Sequence, residues 1–241
     1  MGAMGGRPTT AGAVHLAFDT SGACGSVAVG SPRGASGAEI LSSVLIEERL
    51  EQAARLVPAI DEALRAAGVA RTSLAGILVG EGPGSFTGVR VAAATAKGLA
   101  HALELPLRAV SSLAAAALAH DAGPVRYVLF DARGDRVYGA CYGVGSAGVR
   151  ELVPPHPGTL RDALAGDVPA GAVFVGDGAR RHRAAIEGAG YPVGPGVGAR
   201  SLAEGLLGWL ALSPEASPVS DASAWEPSYV RASSAEPRWS A

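Results

Sequence analysis

Residues 80–98 read Gly80-Glu-Gly-Pro-Gly-Ser-Phe-Thr-Gly-Val-Arg-Val-Ala-Ala-Ala-Thr-Ala-Lys-Gly98. An apolar run at 77–79 precedes this stretch and an alanine-rich helical pattern follows its glycines, which predicts a buried strand, a tight loop and a helix N-terminus. Ser85 or Thr87 can cap the helix through its hydroxyl. The missing Cβ of glycine lets backbone approach backbone, or a ligand. The loop has such glycines at Gly82, Gly84 and Gly88.

This helix start can hold an anion, because its N–H groups are free and its end carries a partial positive charge. The stretch is not a Walker A loop, since no Gly-Lys-Ser/Thr closes it. It is not the nucleophile elbow of a hydrolase either. Pro83 and Thr87 stand two residues before and after Ser85, where that motif has glycines.

The composition predicts a packed globular protein. Of the 241 residues, 48% are hydrophobic and 17% are charged. The formal net charge of −2 argues against binding to nucleic acid through overall charge. The densest basic run, Arg180-Arg-His-Arg183, is either a local binding patch or a solvated helix face.

Cysteine use and hydropathy favour a cytoplasmic location. Cys24 and Cys141 cannot form a disulfide framework, so a reducing compartment is the simpler interpretation. Residues 1–13 lack the apolar core of a signal peptide. We find no run of about 18 apolar residues that would predict a transmembrane helix, and so expect no membrane partner.

The order of predicted elements repeats once along the chain. Leu16–Asp19 and Tyr127–Asp131 are apolar strands that end in Asp, and each leads through a polar turn into a second strand. The weak repeat, with a period of roughly 110 residues, predicts a duplication into two mixed α/β domains. The predicted units are a flexible extension at 1–13, domains at 14–110 and 111–212, and a linker and tail that pack back at 213–241.

The first helix is predicted over 52–67, with a core face of Ala53, Val57, Ile60 and Leu64. Pro58 should kink this helix or mark an irregular first turn. The other predicted strands are 26–29, 40–46, 76–80, 107–110, 136–142 and 172–175. The other predicted helices run from the glycine loop to 103, from 111 or 112 to 120, around 180–187, and over 202–212.

The paired hairpins resemble those of sugar-kinase, actin and Hsp70-type nucleotide-binding proteins, in which such turns wrap the phosphates of ATP and an Asp holds the metal. The alternative is that the two aspartates only cap their strands. The first turn lacks the Lys or Arg expected near a transferred phosphate, and the five histidines are scattered without zinc-site spacing. The candidate residues of a nucleotide site are Asp19, Thr20, Ser21, Asp131, Gly176 and Asp177.

The glycine-rich stretch, together with shorter segments in the same order, is similar to the signature of the TsaB (YeaZ) family. Proteins of that family are the non-catalytic dimerisation subunit of the bacterial tRNA threonylcarbamoyladenosine transferase complex. The most specific segment is the loop at 82–88 followed by Val89-Arg90. The other segments are Leu16–Val29, Pro106–Ser112, Asp131-Ala-Arg133 with Val137-Tyr138, Val175–Gly178 and Pro227–Arg231.

The resemblance implies a duplicated actin-like α/β fold with a degenerate nucleotide site, no catalytic residues and no resident metal. It implies as partners the catalytic paralogue TsaD and the ATPase TsaE, which together transfer threonylcarbamoyl to the tRNA adenosine beside the anticodon. ATP or ADP with Mg would bind only at the joint with the partner, and contact with tRNA would be indirect. The paralogue is longer and carries a metal-binding His-x-x-x-His, which this sequence lacks.

The family pairs through the two helices around the loop, so these helices are the predicted interface with TsaD or with a second copy of this chain. Small residues on the second helix also allow close helix–helix approach, and packing within one domain is the alternative. Relatives often have His where this chain has Gln52, so a contact made by that His is not carried over. The predicted contact residues are Gln52, Arg55, Leu56, Ala59, Ser85, Phe86, Thr87, Arg90, Val91, Ala94, Thr95 and Gly98.

Two other functions stay open from the sequence. One is an independent ATP-dependent phosphotransferase of the same fold, which needs Asp19 or Asp131 to hold a metal nucleotide. The other is a protease that acts on the paralogue. The sequence disfavours a protease, because no serine has the local signature of an activated nucleophile.

Overall fold

The first half of the chain forms a five-stranded sheet in the order β3-β2-β1-β4-β5. The computed structural model describes residues 12–47, 51–194 and 201–228. Strand β1 pairs antiparallel with β2 and parallel with β4, and β2 pairs antiparallel with β3. The strands are β1 (His15–Asp19), β2 (Gly25–Pro32), β3 (Ala38–Ile46), β4 (Gly76–Gly80) and β5 (Leu107–Val110).

The second half repeats this topology in a sheet of order β8-β7-β6-β9. Strand β6 pairs antiparallel with β7 and parallel with β9, so β6 to β9 correspond to β1 to β4. The predicted duplication into two mixed α/β sheets is therefore confirmed. The strands are β6 (Val125–Asp131), β7 (Arg136–Gly145), β8 (Gly148–Thr159) and β9 (Val173–Val175).

Seven helices of four or more residues occur in the described part of the chain. One face of the first sheet packs against α1 and α2, with Phe18 and Val79 in the shared core. Alternate residues such as Ala17 and Leu78 face the opposite side, because successive strand side chains point to opposite faces. The helices are α1 (Gln52–Ala67), α2 (Phe86–Leu103), α3 (Ser112–Ala119), α4 (Leu160–Ala165), α5 (Asp177–Arg181), α6 (Arg183–Gly188) and α7 (Leu202–Leu212).

The helices α3 and α7 form a layer that joins the two sheets. α3 contacts β6 and β7 of the second sheet, whereas α7 contacts β1, β2 and β4 of the first. The two helices approach so closely that a Cβ at Gly205 would overlap the carbonyl oxygen of Ala115. α7 comes last of the helices yet lies on the first sheet. The predicted division at 110/111 stays a prediction.

Three features differ from the sequence expectations. The strand β8 was not predicted, because it contains three prolines; as the edge strand of its sheet it tolerates residues that cannot donate a backbone hydrogen bond. The helix predicted around 180–187 is two short helices, α5 and α6. Pro58 lies inside α1 and not in an irregular first turn, and the kink expected there stays a prediction.

The predicted linker, 213–224, runs along the outer edge of β5. The Val219 backbone N–H donates to the Leu107 carbonyl at 2.8 Å, and Arg108 Nε donates to the Ala216 carbonyl at 3.0 Å. The predicted tail reaches Ser228 within the described residues. Most of the N-terminal extension (1–11) and the Tyr229–Arg231 end of the tail lie outside them.

Candidate functional site

The glycine-rich loop turns β4 into α2 directly over the β1–β2 turn. Ser85 is the N-cap of α2, and its hydroxyl accepts from the Gly88 N–H at 3.4 Å, which confirms one of the two predicted caps. The Ser85 N–H donates to the Ser21 carbonyl at 2.8 Å, and the Thr20 hydroxyl donates to the Gly88 carbonyl at 2.6 Å. The loop thus donates one hydrogen bond to the turn and accepts another from it.

Two glycines make this contact sterically feasible. A Cβ at Gly84 would overlap the Ser21 carbonyl oxygen, and one at Gly88 would overlap the Thr20 carbonyl oxygen. The glycine requirement therefore comes from backbone packed on backbone within the chain. The β1–β2 turn, which resembles a phosphate-binding turn, is covered by the protein's own loop.

Asp19 lies at the end of β1 and is completely buried. Its Oδ1 accepts from the Ser21 N–H and hydroxyl, each at 2.6 Å, and its Oδ2 accepts from the Ser112 hydroxyl at 2.6 Å. Burial raises the pKa of Asp19, and these hydrogen bonds only partly oppose the shift. A metal nucleotide does not fit at Asp19, because both carboxylate oxygens already accept from protein donors. A Cβ at Gly80 would also overlap that carboxylate.

The second aspartate turn is more open. Asp131 Oδ2 accepts from Arg181 Nη1 at 2.6 Å, and its Oδ1 accepts from the Arg133 N–H at 2.9 Å. Asp177 Oδ1 accepts from the N–H groups of Asp131 and Gly178 at 3.2 and 2.9 Å. Burial raises the pKa of Asp177. The structure therefore brings Asp131 and Asp177 together, and it pairs Asp131 with a cation.

Gly176 completes this second turn. It has φ +99°, and a Cβ there would overlap the Leu129 carbonyl oxygen. The candidate nucleotide residues thus form two groups, one at the end of each sheet: Asp19, Thr20 and Ser21 in the first, and Asp131, Gly176 and Asp177 in the second.

Three of the four predicted contact residues of α1 face the core. Leu56 and Ala59 are fully buried, and Gln52 is 3% exposed, while Arg55 is exposed. In the amide orientation that satisfies its neighbours, Gln52 donates to the Thr20 carbonyl at 3.1 Å and accepts from the Gly25 N–H at 2.9 Å. Gln52 therefore supports the β1–β2 turn, and the three buried side chains are not available to a partner in this fold.

The core face of α1 is rotated from the predicted one. Val57, which was expected in the core, is 59% exposed, and Ala53 is exposed as well. The prediction was wrong because alanine-rich turns place two overlapping apolar stripes on this helix, and only contact with the sheet selects between them. Val57 is thus a surface residue that sequence reasoning did not assign to the interface.

The predicted contact residues of α2 lie on its outer side. Phe86 is 57% exposed, and the Arg90 guanidinium carbon lies 3.8 Å from the centroid of its ring, a cation–π geometry. A Cβ at Gly98 would meet open space. The exposed members are Phe86, Thr87, Arg90, Ala94 and Gly98, and the half-buried ones are Ser85, Val91 and Thr95.

Comparison with known proteins places this geometry in one family. A family model described as TsaD, tRNA N6-adenosine threonylcarbamoyltransferase, matches residues 46–173. The Bacillus subtilis (strain 168) protein TsaB, a tRNA threonylcarbamoyladenosine biosynthesis protein, is 31% identical over 191 residues, which cover 77% of this chain and 82% of that one. The chain belongs to the TsaB (YeaZ) family.

Solved structures agree with this assignment. YeaZ from Pseudomonas aeruginosa superposes with a TM-score of 0.69 at 29% identity, covering 90% of this chain and 99% of that one. A Pseudomonas aeruginosa crystal structure described as similar to the peptidase YeaZ has a TM-score of 0.71 at 30% identity, over 91% of this chain and all of that one. The duplicated actin-like α/β fold of the family is therefore the fold of this chain.

The described residues also bear on metal binding, on membrane insertion and on the basic run at 180–183. No group of three or more His, Cys, Asp or Glu side chains there is arranged to hold a metal ion. In the same residues, no helix is both long and apolar enough to cross a membrane. The basic run at 180–183 is partly paired, since Arg181 bonds to Asp131 and Arg183 to Glu187.

Proposed function

We propose that this protein is a non-catalytic subunit that binds the catalytic paralogue TsaD and supports threonylcarbamoyl transfer to the tRNA adenosine beside the anticodon. The observation that carries the proposal is the outer surface of α1 and α2, which pack side by side. That surface presents the exposed apolar side chains Val57 and Phe86. Exposed apolar and aromatic groups beside an Arg are typical anchors of protein interfaces.

The non-catalytic role is supported by the fate of the first nucleotide turn. Asp19 is buried and its carboxylate accepts three hydrogen bonds from Ser21 and Ser112, and the glycine loop packs against the same turn. The proposal therefore keeps this site as a structural remnant. ATP or ADP with Mg would bind only where a partner completes the site.

The further partners are proposed by analogy with the family. The Bacillus subtilis relative is a tRNA threonylcarbamoyladenosine biosynthesis protein, and we propose that this chain acts in the same pathway, with TsaE as the ATPase and with indirect contact to tRNA. A homodimer through the same two helices is the competing use of the surface. A cytoplasmic location stays a prediction.

The protease hypothesis receives no geometric support. Among the described residues, no histidine ring hydrogen-bonds to a serine hydroxyl; the bonds of His15 and His156 go to backbone carbonyls and a tyrosine. A relay from His to Ser is the usual means of activating such a nucleophile. For the phosphotransferase hypothesis, the second turn remains as a candidate nucleotide site, and its Asp131 is paired with Arg181.

Calorimetric titration with TsaD from the same organism tests the proposal. The wild-type chain should bind, and Gly98→Arg should abolish binding, because it places a long charged side chain on the outer face of α2. Gly188→Arg is the matched control, since Gly188 on α6 also faces open space. Equal binding by all three chains would refute the proposed surface, and no binding by the wild type would refute the proposed function.

A further inference from the structure

A segment after α7 connects the end of the fold to the glycine loop. We call residues 213–228 the C-terminal strap. Its first part bonds to Leu107 and Arg108 at the edge of β5. Its last described residue, Ser228, donates its N–H to the Glu81 carbonyl at 3.0 Å. The strap thus ends against the loop that leads into α2.

Trp225 is the main side-chain contact of the strap. The indole lies beside the Glu81 carboxylate and favours its charged form. Lys97 of α2 lies over the Trp225 ring, with Nζ 5.9 Å from a ring centroid, and also donates to the Ser223 carbonyl at 3.1 Å. Lys97 pairs with Glu226 at 3.6 Å. One aromatic side chain therefore contacts both the loop and the outer helix.

The strap is itself braced in this geometry. Asp221 Oδ1 accepts from the N–H and hydroxyl of Ser223 at 2.8 and 2.6 Å, and from the Ala224 N–H at 3.3 Å. Pro227 is buried. This local turn braces the chain just before Trp225, and the buried Pro227 follows it.

The loop is thereby held from two sides. On the inner side the Gly82 N–H donates to the Ser112 hydroxyl at 3.0 Å, which in turn donates to Asp19. On the outer side Glu81 is held by Trp225 and by the Ser228 N–H. Burial raises the pKa of Glu81, and the neighbouring Trp225 opposes this shift. The outer contacts come from the C-terminal strap, which lies at the surface.

We propose that Trp225 is a positioning residue for the partner-binding surface, which it fixes by contacting Glu81 and covering Lys97. This inference rests on the proposed function, since it concerns the same surface. The strap holds the loop and α2 in the conformation that a partner meets. Losing it lowers affinity without removing any residue of the outer helix face.

The test uses the full chain with Trp225→Phe, Trp225→Ala and the control Trp209→Phe. Trp225→Phe keeps a ring beside Lys97 and removes only the indole N–H beside Glu81. Trp209 lies on α7, half-buried against a different core. Two measurements are made on each chain: amide hydrogen exchange of residues 81–90 in the free protein, and affinity for TsaD.

Trp225→Ala should speed exchange across 81–90 while amides in α7 stay protected, because the opening is local. It should weaken TsaD binding by about fivefold or more, with Trp225→Phe in between and Trp209→Phe unchanged. Unchanged affinity in both Trp225 variants, with wild-type binding intact and Gly98→Arg inactive, would overturn this inference and leave the proposed function standing. A wild-type chain that does not bind TsaD would refute both this inference and the proposed function.

Discussion

Single atoms decide why particular glycines of the loop cannot be replaced. Gly88 and Gly98 both lie in α2, yet a Cβ at the first meets the Thr20 carbonyl oxygen and at the second meets nothing. Helix propensity alone would favour alanine at both. Glycine is therefore required by close packing at Gly88, whereas Gly98 is at an exposed position where a side chain would fit.

This difference gives a matched pair of substitutions. Gly88→Ala should lower the free energy of unfolding by about 1–3 kcal/mol, because backbone must move to admit the methyl group. Gly98→Ala should raise it by up to about 1 kcal/mol through helix propensity. Urea denaturation of the three chains measures both. Similar changes of the same sign would contradict the described loop–turn packing.

Asp19 gives a pH-dependent prediction. Burial raises its pKa in the folded protein above the unfolded value, near the model-compound 3.8. The folded state therefore retains the proton to higher pH than the unfolded state does. The contribution of Asp19 to stability is fully present below the unfolded pKa and is lost as pH rises through the folded pKa. Relative to Asp19→Asn, wild-type stability should increase on acidification from pH 7.5 to pH 5. The difference between their urea unfolding free energies is the readout, and a gap that stays constant or moves the other way counts against this reading.

At the scale of elements, the α3–α7 contact joins the two sheets. Gly205→Ala should destabilise the protein, because its methyl would overlap the Ala115 carbonyl, whereas Gly208→Ala in the same helix meets only the Leu118 side chain, its nearest atom 3.8 Å away. The expected fall in Tm for Gly205→Ala is about 2–4 °C per kcal/mol lost, with none for Gly208→Ala. Thermal melting checks it, and an unaffected Gly205→Ala would mean that the helices are not in this close contact.

The elements also show what could be read from sequence and what could not. The strand at Gly76–Gly80 and the helix at Phe86–Leu103 were predictable, because a glycine-rich loop separates two clear apolar patterns. The strand β8 was not predictable, because prolines disfavour a strand unless it is an edge, and edges are set by the whole sheet.

The candidate site was only partly predictable for the same kind of reason. The contact positions of α2 that the family resemblance implied lie on its outer side. The buried positions Leu56 and Ala59 of α1 needed the sheet to fix the helix rotation. The Trp225–Glu81 contact joins residues far apart in sequence, and no local pattern signals it.

For the whole molecule, the duplicated architecture is that of a nucleotide-binding fold, but the glycine loop covers the β1–β2 turn. The isolated chain should therefore show no micromolar binding of ATP with Mg²⁺, since Ser21 and Thr20 already bond to the loop. Calorimetric titration of the free protein tests this. Micromolar binding that is lost in Asp19→Asn or in Asp131→Asn would favour the phosphotransferase instead.

The most direct test of the proposed role is light scattering on size-exclusion fractions of this chain, alone and mixed with TsaD from the same organism. The proposal predicts one species whose mass is that of a stoichiometric complex, and its loss with Gly98→Arg but not with Gly188→Arg. Separate elution of the two wild-type proteins, with ATP and Mg²⁺ present, would contradict it.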